Sequence, residues 1–114
     1  MTLTVTATWL AACRLADLLP ERGAAALFGA VQVAVFRLHD DSVHAIGNRD
    51  PFSGAHVLSR GIVGTRGDTP IVVSPMHKQA FDLHTGQCLD DAAVRVAVYP
   101  TRVRGGLVEV RVGP

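Results

Sequence analysis

The residues best equipped for chemistry fall in two stretches, Asn48 to His56 and Ser74 to His77. Asp50, His56 and His77 supply the residue types of a two-histidine, one-carboxylate iron site. Nothing in their spacing fixes three ligands on one metal. The plainer reading has Asp50 supporting a turn before Pro51 and His56 on the surface. Ser53, Ser59 and Ser74 carry hydroxyls, but none sits in a recognisable nucleophile elbow. Cys13 and Cys88 have no evident base partner. Gly61, Gly64 and Gly67 keep a G-x-x-G-x-x-G spacing. A phosphate cradle needs a strand before it and a helix after it, so that backbone N–H groups meet the anion. Here a strand is predicted to follow, and the Walker lysine is absent. Arg66-Gly67-Asp68 spells a cell-adhesion tripeptide, for which chance is a sufficient explanation.

The elements that hold these residues must come from one small domain. The chain has 114 residues, enough to bury a core without a disulfide or a structural metal. Hydrophobic residues make up 48% and charged residues 18%, which is a globular and not a disordered composition. A net charge of +1 gives no electrostatic reason to expect nucleic acid or an anionic membrane as partner. Two cysteines cannot build a disulfide framework or a four-cysteine metal site, and both read as small buried hydrophobes. The opening MTLTVTATWLAAC lacks the basic start and long apolar run of a signal peptide. No window approaches the roughly 20 apolar residues of a membrane span. A soluble cytoplasmic protein is expected.

Alternation dominates the pattern. Val31, Val33 and Val35 share one face, with Gln32 and Arg37 on the other, which predicts a half-buried strand. His39-Asp40-Asp41-Ser42 reads as a hairpin turn into a second strand over 43–47. Residues 69–73, 94–99 and 107–112 read as further strands, with Arg104-Gly105-Gly106 turning into the last. Helix signals are few. Residues 15–19 suit one short turn stopped by Pro20, and residues 24–28 suit a strand at least as well as a helix. Residues 48–68 read as one long insertion, packed by Phe52, Val57, Leu58, Ile62 and Val63. The sum is an all-β antiparallel sandwich or small barrel with little helix, in one domain over residues 1–114.

The two loops together resemble those of a Rieske-type domain. More closely, the chain is similar to the small subunits of assimilatory NAD(P)H-dependent nitrite reductases. The resemblance rests on Asp50-Pro51-Phe52-Ser53-Gly54-Ala55, on Leu58-Ser59-Arg60-Gly61-Ile62-Val63-Gly64, and on Ser74-Pro75-Met76-His77-Lys78-Gln79. It extends through Phe81-Asp82-Leu83-His84-Thr85-Gly86. It implies a Rieske-like fold, with residues of about 46–88 as the cluster-loop subdomain. Rieske domains hold a [2Fe-2S] cluster on two cysteines and two histidines. The corresponding positions here are Asn48, Asp50, Ser74 and His77, so only one of the four residue types is kept. Such clusters need soft, anionic thiolate donors. No cluster is therefore expected in this chain, and no catalytic residue.

The resemblance implies an accessory subunit that docks on a catalytic large subunit. That partner is expected to carry FAD, siroheme and a [4Fe-4S] cluster and to reduce nitrite to ammonium. The candidate docking contacts are Arg49, Phe52, Arg60, Met76, His77 and Lys78. For Phe52 and Met76 the alternative is packing inside the tip. For His77 it is a hydrogen bond to a backbone carbonyl that ties the loops. The competing functional class is a Rieske-type [2Fe-2S] ferredoxin, which would require cysteines at positions 48 and 74 and a histidine at 50.

Overall fold

The structure is a computed structural model that describes residues 8–112. The first seven residues, which begin the stretch read for a signal peptide, lie outside the described residues. Among the described residues, ten strands run antiparallel to their neighbours: β1 (Thr8–Arg14), β2 (Arg22–Phe28), β3 (Val31–Arg37), β4 (Val43–Gly47), β5 (Ile62–Arg66), β6 (Thr69–Val73), β7 (Ala80–Asp82), β8 (Val98–Tyr99), β9 (Thr101–Arg104) and β10 (Leu107–Val112). The helical content of the same residues is two single 3-10 turns, Leu15–Asp17 and Leu58–Arg60.

The strands form three sheets, ordered β1-β10-β9, β2-β3-β4-β8 and β5-β6-β7. The four-stranded sheet is the shared wall. Val33, Val35 and Ala45 leave one face and join Leu18, Val108 and Val110 in a first core. Ala34, Phe36 and Ile46 leave the other face and join Leu58, Val72, Phe81 and Leu83 in a second. Successive side chains of a strand point to opposite faces, so β3 feeds both cores alternately. The expectation of a half-buried β3 is therefore corrected. Val33 through Phe36 are all buried, Gln32 and Arg37 stand toward its ends, and Arg37 shares the face of Val33 and Val35, where its guanidinium donates to the Leu15 and Leu18 carbonyls.

Two further expectations change. Residues 94–97 alternate like a strand, but only Val98 and Tyr99 pair in a sheet. The preceding residues form a strap whose backbone bonds go to different partners. The Val94 carbonyl accepts from Cys88 N–H, Val96 N–H donates to the Gly86 carbonyl, and the Ala97 carbonyl accepts from Gly47 N–H. The long insertion over 48–68 also has its own structure: the turn Leu58–Arg60 and the strand β5, which pairs with β6. Phosphate-cradle geometry is absent from Gly61, Gly64 and Gly67, which enter, cross and leave that strand. Gly67 (φ +63°) forms its hairpin turn, with Arg66 and Asp68 beside it.

The remaining elements follow the pattern read from the sequence. Residues 39–42 turn from β3 to β4, with Leu38 N–H donating to the Ser42 carbonyl. Ile71 and Val72 bury β6. Residues 24–28 belong to a strand. At Gly86 both the backbone conformation and the space exclude a side chain. Gly86 has φ +78°, and a Cβ there would stand 2.2 Å from the Val96 carbonyl oxygen. It closes the Thr85-Gly86 turn beneath the strap.

Candidate functional site

The two loops meet at one end of the second core. Loop one leaves β4 at Gly47 and reaches the 3-10 turn at Leu58; loop two leaves β6 at Val73 and returns at β7. Three polar or charged residues among those described are buried: Asn48, Asp50 and Ser74. They are three of the four residues at which the resemblance places Rieske ligands. A buried polar group is costly unless hydrogen-bonded, and each of the three has its partners.

Asn48 organises loop one. Its side-chain oxygen accepts from Ser59 N–H at 2.8 Å, and its amide nitrogen donates to the His56 carbonyl at 3.3 Å. The backbone of the same residue donates to the Gln32 carbonyl and accepts from Leu58 N–H. Asp50 is fully buried. One carboxylate oxygen accepts from Phe52 N–H at 2.8 Å and Ser53 N–H at 3.4 Å. This is the turn-supporting role expected before Pro51. The other oxygen accepts the hydroxyl proton of Ser74. Ser74 Oγ in turn accepts Met76 N–H at 3.2 Å, and the Ser74 carbonyl accepts Lys78 N–H at 3.0 Å. Lys78 adopts φ +63° to make that turn.

Burial of Asp50 opposes its charged form and pushes its pKa up. The Ser74 hydroxyl, the amides of Phe52 and Ser53, and the nearby His77 act the other way, and the net shift is downward. The buried site thus holds a carboxylate stabilised by fixed donors, at the join of the two loops.

His77, the ligand type that is kept, is exposed, as are Arg49, Arg60 and Lys78. The tie between the loops expected of His77 is made instead by Ser74 and Asp50. Phe52 and Met76 are 37% and 49% exposed, so neither is packed away inside the tip. The Phe52 ring still leans on buried Phe81, with centroids 6.3 Å apart. Asp50, His56 and His77 do not gather: among the described residues no group of three or more His, Cys, Asp or Glu side chains could hold a metal ion. Cys88 is buried in the second core, and half-buried Cys13 packs against the first. Neither thiol belongs to either tip loop.

The donor set bears directly on a [2Fe-2S] cluster. A neutral amide, a carboxylate and a neutral hydroxyl occupy three ligand positions, all three engaged in hydrogen bonds with protein. Among the described residues no thiolate faces them. These residues do not suit that cluster.

The sequence matches the Rieske-like [2Fe-2S] domain family over residues 8–111. It is 44% identical over 104 residues to the NADH nitrite reductase small subunit of Escherichia coli K12, covering 90% of this chain and 96% of that one. This chain belongs to the nitrite reductase small-subunit family. The fold agrees: a crystal structure assigned to the NADH-dependent nitrite reductase small subunit of Mycobacterium tuberculosis superposes with a TM-score of 0.92 at 52% identity, covering 96% of this chain and 99% of the other. A third relative has a different architecture. The NAD(P)H nitrite reductase large subunit of Klebsiella oxytoca is 40% identical over 102 residues, covering 90% of this chain but 11% of that much longer protein. A segment like this small-subunit family is therefore part of a large-subunit polypeptide in that organism.

The Ser74–Asp50 pairing was not legible in the sequence. The only signal was chemical: a hydroxyl and a carboxylate at facing ligand positions form a hydrogen bond more readily than they bind an iron-sulfur cluster.

Proposed function

We propose that this chain is the cluster-free accessory subunit of a cytoplasmic NAD(P)H-dependent nitrite reductase of nitrate assimilation, and that its tip docks on the catalytic large subunit. The observation that carries the reading is the tip itself. Asn48, Asp50 and Ser74, the positions that the resemblance aligns with Rieske ligands, are buried and satisfied by hydrogen bonds within the protein. A scaffold that retains the loops but satisfies its ligand positions internally serves as a surface and not as an electron carrier. The covalent union of such a segment with a large subunit in the Klebsiella relative supports physical association of the two. Arg49, Phe52, Met76, His77 and Lys78 are exposed on the tip loops, and Arg60 on the adjoining 3-10 turn. Exposed aromatic, methionine and basic side chains of this kind suit a protein interface. The partner would carry the FAD, siroheme and [4Fe-4S] centres, and this chain would supply no catalytic group.

The test is co-purification with the large subunit, together with iron analysis of this chain alone. Expected are a stable complex, no stoichiometric iron, and no charge-transfer bands in the visible spectrum. The double charge reversal Arg60→Glu with Lys78→Glu is expected to weaken the complex. Unchanged NADH-dependent nitrite reduction after deletion of this chain would refute the reading. So would a [2Fe-2S] spectrum, which would favour the ferredoxin class.

A further inference from the structure

Away from the tip, a cavity of about 340 Å³ opens in the seam between the four-stranded sheet and the β5-β6-β7 sheet. That size lies in the lower range of small-molecule sites. Its apolar lining comes from Leu38, Val63 and Pro70, one from each side of the seam and one from the head of β6. On the wall, His44 from β4 and His84 from the turn after β7 stack with ring centroids 5.0 Å apart and planes within 14°. Burial, and then the neighbouring His84, disfavour the protonated form of His44, so a neutral flat ring faces the seam.

Charge around the cavity is one-sided. Glu21, Asp40 and Asp68 line it, and among the described residues no lysine or arginine does; His39 also lines it, its Nδ1 3.6 Å from Glu21 Oε1. Asp40 is held in place by the Ser42 hydroxyl, which also meets His44 Nε2 at 3.2 Å. The fixed charges of the lining are therefore three carboxylates.

The geometry points to this seam as a binding site for a small organic cation with a flat, apolar body. The aliphatic lining and the stacked imidazoles take the flat body, and the rim carboxylates select the charge. An anion of the same shape would meet three carboxylates and no lysine or arginine.

The experiment is an NMR titration of the ¹⁵N-labelled full chain at pH 8 with three isosteric probes: benzamidine, benzamide and benzoate. Benzamidine is expected to give saturable shifts at His44, Val63, Gly64, Thr65 and His84. Benzamide, lacking the charge, is expected to bind about ten-fold more weakly, which corresponds to roughly 1.4 kcal/mol. Benzoate is expected to leave these amides unmoved. Thr65→Trp, on the face of β5 that it shares with Val63 in lining the cavity, is expected to abolish the benzamidine shifts while the spectrum elsewhere stays native. Asp68→Lys provides a second variant at an exposed turn, and a several-fold weaker benzamidine response is expected there. Absence of saturable shifts, equal responses to the three probes, or shifts that survive both variants would overturn the site.

Discussion

Ser74 and Asp50, 24 residues apart in the chain, are joined by a buried hydrogen bond that ties one tip loop to the other. In a cluster-bearing Rieske domain the two loops are joined through metal ligation. Here a hydroxyl-to-carboxylate bond occupies the same join, and two backbone amides complete the carboxylate's partners. The two tip loops are thereby joined directly by protein groups.

Removing the donor exposes the cost of that arrangement. Ser74→Ala leaves a buried carboxylate oxygen without its partner, which costs about 1–3 kcal/mol. Asp50→Ala costs more, because it strands the Ser74 hydroxyl and the amides of Phe52 and Ser53 together. Urea unfolding measures both losses. Native-state hydrogen exchange should show the opening at Phe52, Ser53 and Met76 before it reaches β3.

Acid should act on the same group. The folded pKa of Asp50 is lowered below its unfolded value, so at moderately acidic pH the unfolded chain binds more protons. Its contribution to stability is then fully present above the unfolded carboxyl range, near pH 3.9. It is lost as pH falls through the folded value. The stability gap between wild type and Asp50→Asn, followed by urea unfolding from pH 6 downwards, is expected to shrink below about pH 4. A gap that stays constant throughout would contradict the assignment.

A second pH window has another origin. His44 has its pKa lowered by burial and by His84, against smaller opposing effects of Asp40 and Asp82. The unfolded histidine therefore takes up protons first, and stability falls as pH drops through the ordinary imidazole range near 6.5. Above that range the penalty is absent. His44→Asn is expected to flatten the loss seen between about pH 7.5 and 5.5 in thermal unfolding, and an unaltered slope would count against it.

How far the fold could be read depended on whether burial left a period in the sequence. The hairpin from β3 to β4 and the strand β10 were legible because alternation and turn residues agree there. β1 was not: its register shifts between Ala11 and Cys13, so no clean period of two survives. β9, Thr101–Arg104, is short and polar and left no apolar signal. The opposite error arose at residues 94–97, where alternation looks like a strand but the backbone bonds serve three separate partners. At the site, the resemblance pointed to Asn48, Asp50, Ser74 and His77, and the structure buries the first three together. Their mutual satisfaction was hidden, because a contact between residues 50 and 74 depends on how two sheets dock.

Two glycines allow an internal comparison of backbone demand. Gly86 lies at φ +78°, where a side chain is strained, and its Cβ would fall 2.2 Å from the Val96 carbonyl oxygen. Because that oxygen is backbone, relief requires moving the strap that also bonds Cys88 and Gly47. Gly64 lies in β5 without a positive φ, and a Cβ there would stand in open space. Gly86→Ala is therefore expected to cost at least ~2 kcal/mol through clash and strain. Gly64→Ala is expected to change stability by less than ~1 kcal/mol, with reduced unfolded-chain entropy favouring the folded state. Side-by-side denaturant melts decide the matter: comparable losses at the two positions would show that the strap yields more easily than its hydrogen bonds imply.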